Sequence, residues 1–74
     1  MAEHQLDLRG LKCPLPALRT RRALSSLAAG EVIVVDCTDP MAAIDIPHLI
    51  RETGDILAAT ARDGEVTRFR IRKA

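Results

Sequence analysis

The residues best suited to chemistry lie together in Arg9-Gly10-Leu11-Lys12-Cys13-Pro14-Leu15-Pro16. A proline is tolerated in the first turn of a helix, where its missing N–H breaks no intrahelical bond. If Pro14 is the first helical residue, Cys13 is the N-cap, with its sulfur against the positive end of the helix dipole and beside the free N–H of Leu15. Lys12 and Arg9 add positive charge. Such surroundings lower a thiol pKa from about 8.5, so the sequence predicts a nucleophilic thiolate at Cys13. No His, Asp or Glu stands in the segment to act as a local base. Exchange of sulfur between a thiolate and a persulfide needs none, whereas acyl transfer generally does.

The elements that must position this cysteine follow from periodicity. Gln5 to Arg9 alternates polar and apolar, a short half-buried strand that Gly10 ends. From Pro14 onward Ala17, Thr20, Leu24, Leu27 and Ala28 recur at helical spacing, with Arg19, Arg22 and Ser26 on the other face and Gly30 as the expected stop. Val32-Ile33-Val34-Val35 is a β-branched run that reads as a buried strand. Asp39 then Pro40 marks a second helix start, with Met41 to Thr53 helical up to Gly54. Pro47 is expected to kink or restart that helix, with Asp45 capping its second half. Ile56 to Ala61 is a strand, Asp63-Gly64 a hairpin turn, and Val66 to Arg72 alternates again, Thr67, Phe69 and Ile71 on one face and Arg68, Arg70 and Arg72 on the other. The order β-α-β-α-β-β predicts an α/β (α+β) two-layer sandwich, a four-stranded mixed sheet with two helices on one face and a wet opposite face.

Composition sets the remaining bounds. Residues 1–74 are expected to form one domain, and a hydrophobic fraction of 47% is enough for a packed core. One Phe and no Trp or Tyr leave a core of Leu, Ile, Val and Ala, with little room for a ligand cavity. Two cysteines make no disulfide framework. The N-terminus lacks a basic stretch followed by an apolar run, and no apolar run is long enough to span a membrane. The expectation is a soluble, cytoplasmic protein with no membrane partner and reduced thiols. The net charge of +1 hides an asymmetry, with Arg9, Lys12, Arg19, Arg21 and Arg22 early and Glu31, Asp36, Asp39, Asp45, Glu52 and Asp55 in the middle. Arg9, Lys12, Arg19 and Arg22 are candidates for a basic rim that steers acidic partners. The like charges of Arg68, Arg70 and Arg72 on one strand face hint at an acidic partner surface. With no aromatic residue for base stacking, direct nucleic-acid binding is not expected.

The chain resembles the TusA/SirA-like sulfurtransferase and sulfur carrier family along its whole length. Leu-Asp-x-x-Gly-Leu-x-Cys-Pro-x-Pro appears as Leu6-Asp7-Leu8-Arg9-Gly10-Leu11-Lys12-Cys13-Pro14-Leu15-Pro16, and Asp-Pro followed by Asp-Ile-Pro appears as Asp39-Pro40 and Asp45-Ile46-Pro47. The resemblance implies the β-α-β-α-β-β fold and a persulfide on Cys13, with no resident cofactor. It implies relay of sulfur from a cysteine desulfurase or rhodanese-like donor to an acceptor protein. In the family such relays feed tRNA thiolation, molybdenum cofactor assembly or sulfur oxidation. Leu15 stands where the family often has an acid, and Gly54-Asp55-Ile56 where Gly-His-Glu is common, changes that bear on partners more than on chemistry.

Other readings compete. Cys13 could be a structural helix start in a non-catalytic interaction or regulatory module. Cys37 shares strand parity with Ile33 and Val35 and is expected in the core. A right-handed β-α-β unit would nevertheless bring Cys13 and Cys37 to one sheet edge, which would suit a thiol redox protein. Cys13, Cys37, His4 and His48 lack paired zinc spacing, so no metal is expected, and His48 reads as a surface residue. Gly10, Asp39 and Asp45 have structural roles as turn and caps. An exposed sheet face is compatible with a monomer or a weak dimer.

Overall fold

The computed structural model describes residues 3–74. Its elements are β1 (Glu3–Leu8), α1 (Leu15–Ser25), β2 (Val32–Cys37), α2 (Ala42–Thr53), β3 (Ile56–Asp63) and β4 (Val66–Arg72). The sheet order is β1-β2-β4-β3, with β1 parallel to β2 and the other two pairings antiparallel. The α+β sandwich with a mixed four-stranded sheet is therefore the observed fold.

Strand parity explains the layering. Leu8, Ile33, Val35, Cys37, Phe69 and Ile71 share one face of the sheet and form a single core with Leu24 of α1 and Ala42, Ile46 and Ile50 of α2. Both helices thus cover the same face, and the side chains there alternate with polar residues on the other. That second face is less open than an unpaired arginine stripe would be. Arg68 holds Asp36 through two hydrogen bonds, of 2.8 and 3.0 Å. Arg70 reaches Glu3 at 2.6 Å, and a bridge from β4 to β1 must pass over β2. Val34, between Gln5 and Arg70 in the register, is only 5% exposed for that reason. Arg68 and Arg70 are thus paired within the sheet, so the expected acidic partner surface loses most of its basis.

Four boundaries differ from the sequence reading. The first helix ends at Ser25, not near Gly30, because the hydroxyls of Ser25 and Ser26 bond the carbonyls of Arg22 and Ala23 at 2.6 and 2.8 Å and the chain tightens into i−3 bonds there. The second helix runs unbroken from Ala42 to Thr53 through Pro47. Burial of Ile46, Leu49 and Ile50 on either side of the proline outweighs the one backbone bond it removes. Asp45 accordingly lies inside the first turn and caps no second segment. The hairpin turn is Gly64-Glu65, one residue later than expected, since Asp63 still pairs with Val66 and Gly64 takes the positive φ of 61° that the tight turn needs.

Cys37 is fully buried, as its parity predicted. Burial, aided by the charges of Asp36 and Asp39, pushes its thiol up to about 11. The unfolded chain ionises this thiol near 8.5, so its contribution to stability is complete below that pH and is lost as pH rises toward 11. The expected alkaline loss is about 1–2 kcal/mol by pH 10. Urea unfolding at pH 8 and pH 10 checks it, because a Cys37→Ala variant should lose that much less between the two pH values than the wild type.

Candidate functional site

Gly10, with φ of 85°, turns the chain out of β1, and its N–H donates to Thr38 Oγ1 at 2.8 Å. Four residues, Leu11 to Pro14, follow before α1. The Cys13–Pro14 peptide is cis, Pro14 is the N-cap and Pro16 the second helical residue. Pro14, Leu15 and Pro16 thus open the helix as expected, shifted by one position, and Cys13 precedes the cap instead of being it. The loop is tied to the β2–α2 connection by Asp39. Its Oδ2 accepts the Cys13 N–H at 2.6 Å while its Oδ1 accepts the Met41 N–H at 3.2 Å. Asp39 therefore caps the turn leading into α2 and anchors the cysteine loop at once.

The sulfur does not meet the surroundings the sequence predicted. The Leu15 N–H is taken by the Lys12 carbonyl at 2.9 Å and gives nothing to the thiol. Among the described residues, the one hydrogen-bond partner of the sulfur is Asp45, whose Oδ2 lies 3.2 Å from Cys13 Sγ. The bond to Asp45 raises the Cys13 pKa, with desolvation and the charges of Asp45 and Asp39 acting in the same direction. The expected low-pKa thiolate is overturned. A proline-capped helix offers few free N–H groups, and the charges that act on the sulfur are those of two carboxylates.

Cys13 is nonetheless exposed, whereas Cys37 is buried. Its sulfur stands at one end of a shallow groove between the helices. Pro14, Ala17, Leu18 and Arg21 of the α1 side face Asp45, His48, Leu49 and Glu52 of α2. Each set has the i, i+3, i+4, i+7 spacing of one helical stripe. Arg21 and His48 both turn to Glu52 in this groove, which accepts from Arg21 at 3.4 Å and lies 2.6 Å from the His48 ring nitrogen. Leu18 in the groove, and Leu15, Met41 and Ile44 near the starts of the two helices, are large apolar side chains left exposed, Ile44 by 64%.

The proposed basic rim does not assemble here. Arg9 is bound by Asp7 through its Nε at 2.8 Å and Nη2 at 2.9 Å, and it lines a depression with Asp36 and Arg68. Lys12 lies beside Thr38 and Asp39, while Arg19 and Arg22 sit against Leu6 and Ser26 on the far side of α1. The sequence reading missed Arg21, although its stripe with Pro14, Ala17 and Leu18 was visible. It gave Asp45 only a structural role as a cap, although the Asp45-Ile46-Pro47 signature had singled the residue out.

Residues 4–73 match the family described as Sulfurtransferase TusA. The chain belongs to the TusA sulfurtransferase family. It is 35% identical over 72 residues to "Sulfur carrier protein TusA" of Allochromatium vinosum, an alignment covering 97% of this chain and 95% of that protein. It is 43% identical over 68 residues to "Putative sulfur carrier protein NMA0882" of Neisseria meningitidis serogroup A, covering 90% and 92%. "Putative sulfur carrier protein YrkI" of Bacillus subtilis is 34% identical over 68 residues, covering 92% and 91%. The matched residues include the exposed Cys13 and the Asp39 and Asp45 that contact it. No helix among the described residues is long and apolar enough to cross a membrane.

Proposed function

We propose that residues 1–74 act as one cytoplasmic sulfur-carrier domain, which takes sulfane sulfur as a persulfide on Cys13 and passes it to an acceptor protein. The observation that carries this reading is the exposed Cys13 sulfur at the mouth of the inter-helix groove. The names of its relatives support the same role. A carrier needs a sulfur that a partner's cysteine can reach and no enclosed pocket, because the cargo is one covalently held atom. The exposed apolar side chains of Leu15, Leu18, Met41 and Ile44 suit docking of a protein partner near that atom. Chemistry of this kind needs no resident cofactor, since one thiol and one persulfide exchange partners without net oxidation. Complete burial of Cys37 argues against a redox pair with Cys13, because a buried neutral thiol is a poor nucleophile.

The test is the intact mass of the protein after incubation with a cysteine desulfurase, pyridoxal phosphate and cysteine. A gain of one sulfur atom, removed by a reducing thiol, is expected. No gain from the desulfurase, followed by none from a rhodanese with thiosulfate, would leave the non-catalytic interaction module as the reading.

A further inference from the structure

We propose that Asp45 is a protonation gate on Cys13: its carboxylate holds the sulfur as a thiol in the free protein, and a cationic side chain of the sulfur donor opens the gate on docking by pairing with Asp45. The proposal rests on the reading of Cys13 as the carrier residue.

The geometry carries it. Asp45 Oδ2 and Cys13 Sγ are 3.2 Å apart. An ionised carboxylate only accepts hydrogen bonds, so the sulfur must be the donor and must keep its proton. Two anions at that separation repel, and the contact is incompatible with a resting thiolate. The fixing of both partners makes the arrangement stable. Asp45 lies in the first turn of α2, next to buried Ile46, and the Cys13 backbone is anchored by Asp39. The other charged groups around the groove do not relieve the sulfur. Asp39 adds negative charge from the β2–α2 connection, Arg21 of α1 and His48 of α2 turn to Glu52, and Lys12 lies on the Asp39 side of the loop. The mouth is therefore short of available positive charge, and a docking partner must supply it. This inverts the polarity of the basic rim drawn from the sequence: the charge complement of this site is a basic side chain, placed near the donor's persulfide.

With Asp45 paired, the proton of Cys13 leaves to solvent and the thiolate attacks the terminal sulfur of the donor's persulfide. One S–S bond forms on Cys13 and the donor's own S–S bond breaks. The donor cysteine departs as a thiolate and takes up a proton. Oxidation states balance, since one persulfide and one thiol have exchanged places. In the absence of a partner the gate keeps an exposed sulfur from reacting with other electrophiles.

The test reads Cys13 directly and needs no sulfur donor, so failure of the gate is distinguishable from failure of the carrier reading. The rate of Cys13 alkylation by iodoacetamide is followed against pH by peptide mass. The wild-type midpoint should lie above that of an unstructured cysteine peptide, and Asp45→Asn should lower it and raise the rate at neutral pH by about two- to fourfold, the gain in thiolate being partly offset by its lower nucleophilicity. Asp45→Glu should keep the wild-type profile. In a second measurement, exchange with the dication cystamine is compared with exchange with the neutral disulfide of 2-mercaptoethanol. The wild type should prefer cystamine by more than an unstructured cysteine peptide does, and Asp45→Asn should reduce the preference to that of the peptide, which reflects the better leaving thiol alone. A wild-type midpoint at or below that of the peptide would overturn the gate without any variant. So would an unshifted profile in a folded Asp45→Asn protein, or a wild-type preference for cystamine no greater than that of the peptide.

Discussion

Replacing Cys13 with serine should reduce sulfur loading to nothing while leaving the protein folded. The two halves of that expectation have separate physical reasons. An alcohol is not ionised near neutral pH and forms no stable bond to sulfane sulfur, so the variant has no atom on which a persulfide could be built. The fold, by contrast, barely uses the sulfur. Cys13 is exposed, its anchor to Asp39 is made by the backbone N–H, and a serine hydroxyl can still donate to Asp45. Stability should stay within about 0.5 kcal/mol of the wild type, as for other exposed substitutions. Intact mass after treatment with a cysteine desulfurase reads the loading, and urea unfolding reads the fold. A Cys37→Ala variant supplies the complementary result, with loading retained and stability reduced. Sulfur found on the Cys13→Ser protein would instead assign the cargo to Cys37, and would require the core to open during transfer.

The parts of this molecule that are visible in its sequence are those set by local chemistry. The alternation of Val66 to Arg72 placed Phe69 and Ile71 inward because a strand has a period of two whatever it pairs with. The two prolines after Cys13 marked a helix start because their missing N–H groups are harmless only there. Cys37 was legible as a core residue from parity alone. What escaped was contact between distant segments. Asp45 stands 32 positions from Cys13 and meets it only because the turn after β1 and the turn after β2 emerge at the same end of two parallel neighbours. A reading confined to the neighbourhood of Cys13 counted Lys12 and Arg9 and found a positive field. In the structure Arg9 is bound to Asp7, strongly enough to hold that carboxyl at about 2, and the charges that act on the sulfur, Asp45 and Asp39, are negative. The basic rim failed for a geometric reason too. Arg19 and Arg22 are close to Cys13 in sequence but lie on the other side of α1 from the stripe Pro14, Ala17, Leu18 and Arg21. Periodicity held the information needed to separate them, whereas the partner of the sulfur required the fold.

The stability of the site should depend on one side chain far from it. Phe69→Ala is expected to cost about 3–5 kcal/mol, the usual loss when a buried aromatic is truncated and its space cannot close. Phe69 is the only aromatic residue of the chain and is fully buried, paired with Val35 on one side and Thr60 on the other. Its cluster includes Ile46 of α2, so the cavity would open under the turn that carries Asp45. A domain of this length has on the order of 4–11 kcal/mol in all, and small domains sit toward the low end. The variant should therefore show an unfolded population that the wild type does not. Phe69→Leu, which keeps most of the volume, should cost less than about 1.5 kcal/mol. Without Trp or Tyr, the unfolding is best followed by far-ultraviolet circular dichroism in urea. Cys37 supplies an internal check, because a thiol with no exposed surface can be alkylated only when the core opens. Its labelling at fixed pH should accelerate in Phe69→Ala in proportion to the lost stability. If Cys37 stayed protected while Cys13 reactivity changed, the cavity would have loosened α2 alone, and the sheet would be the more stable half of the structure.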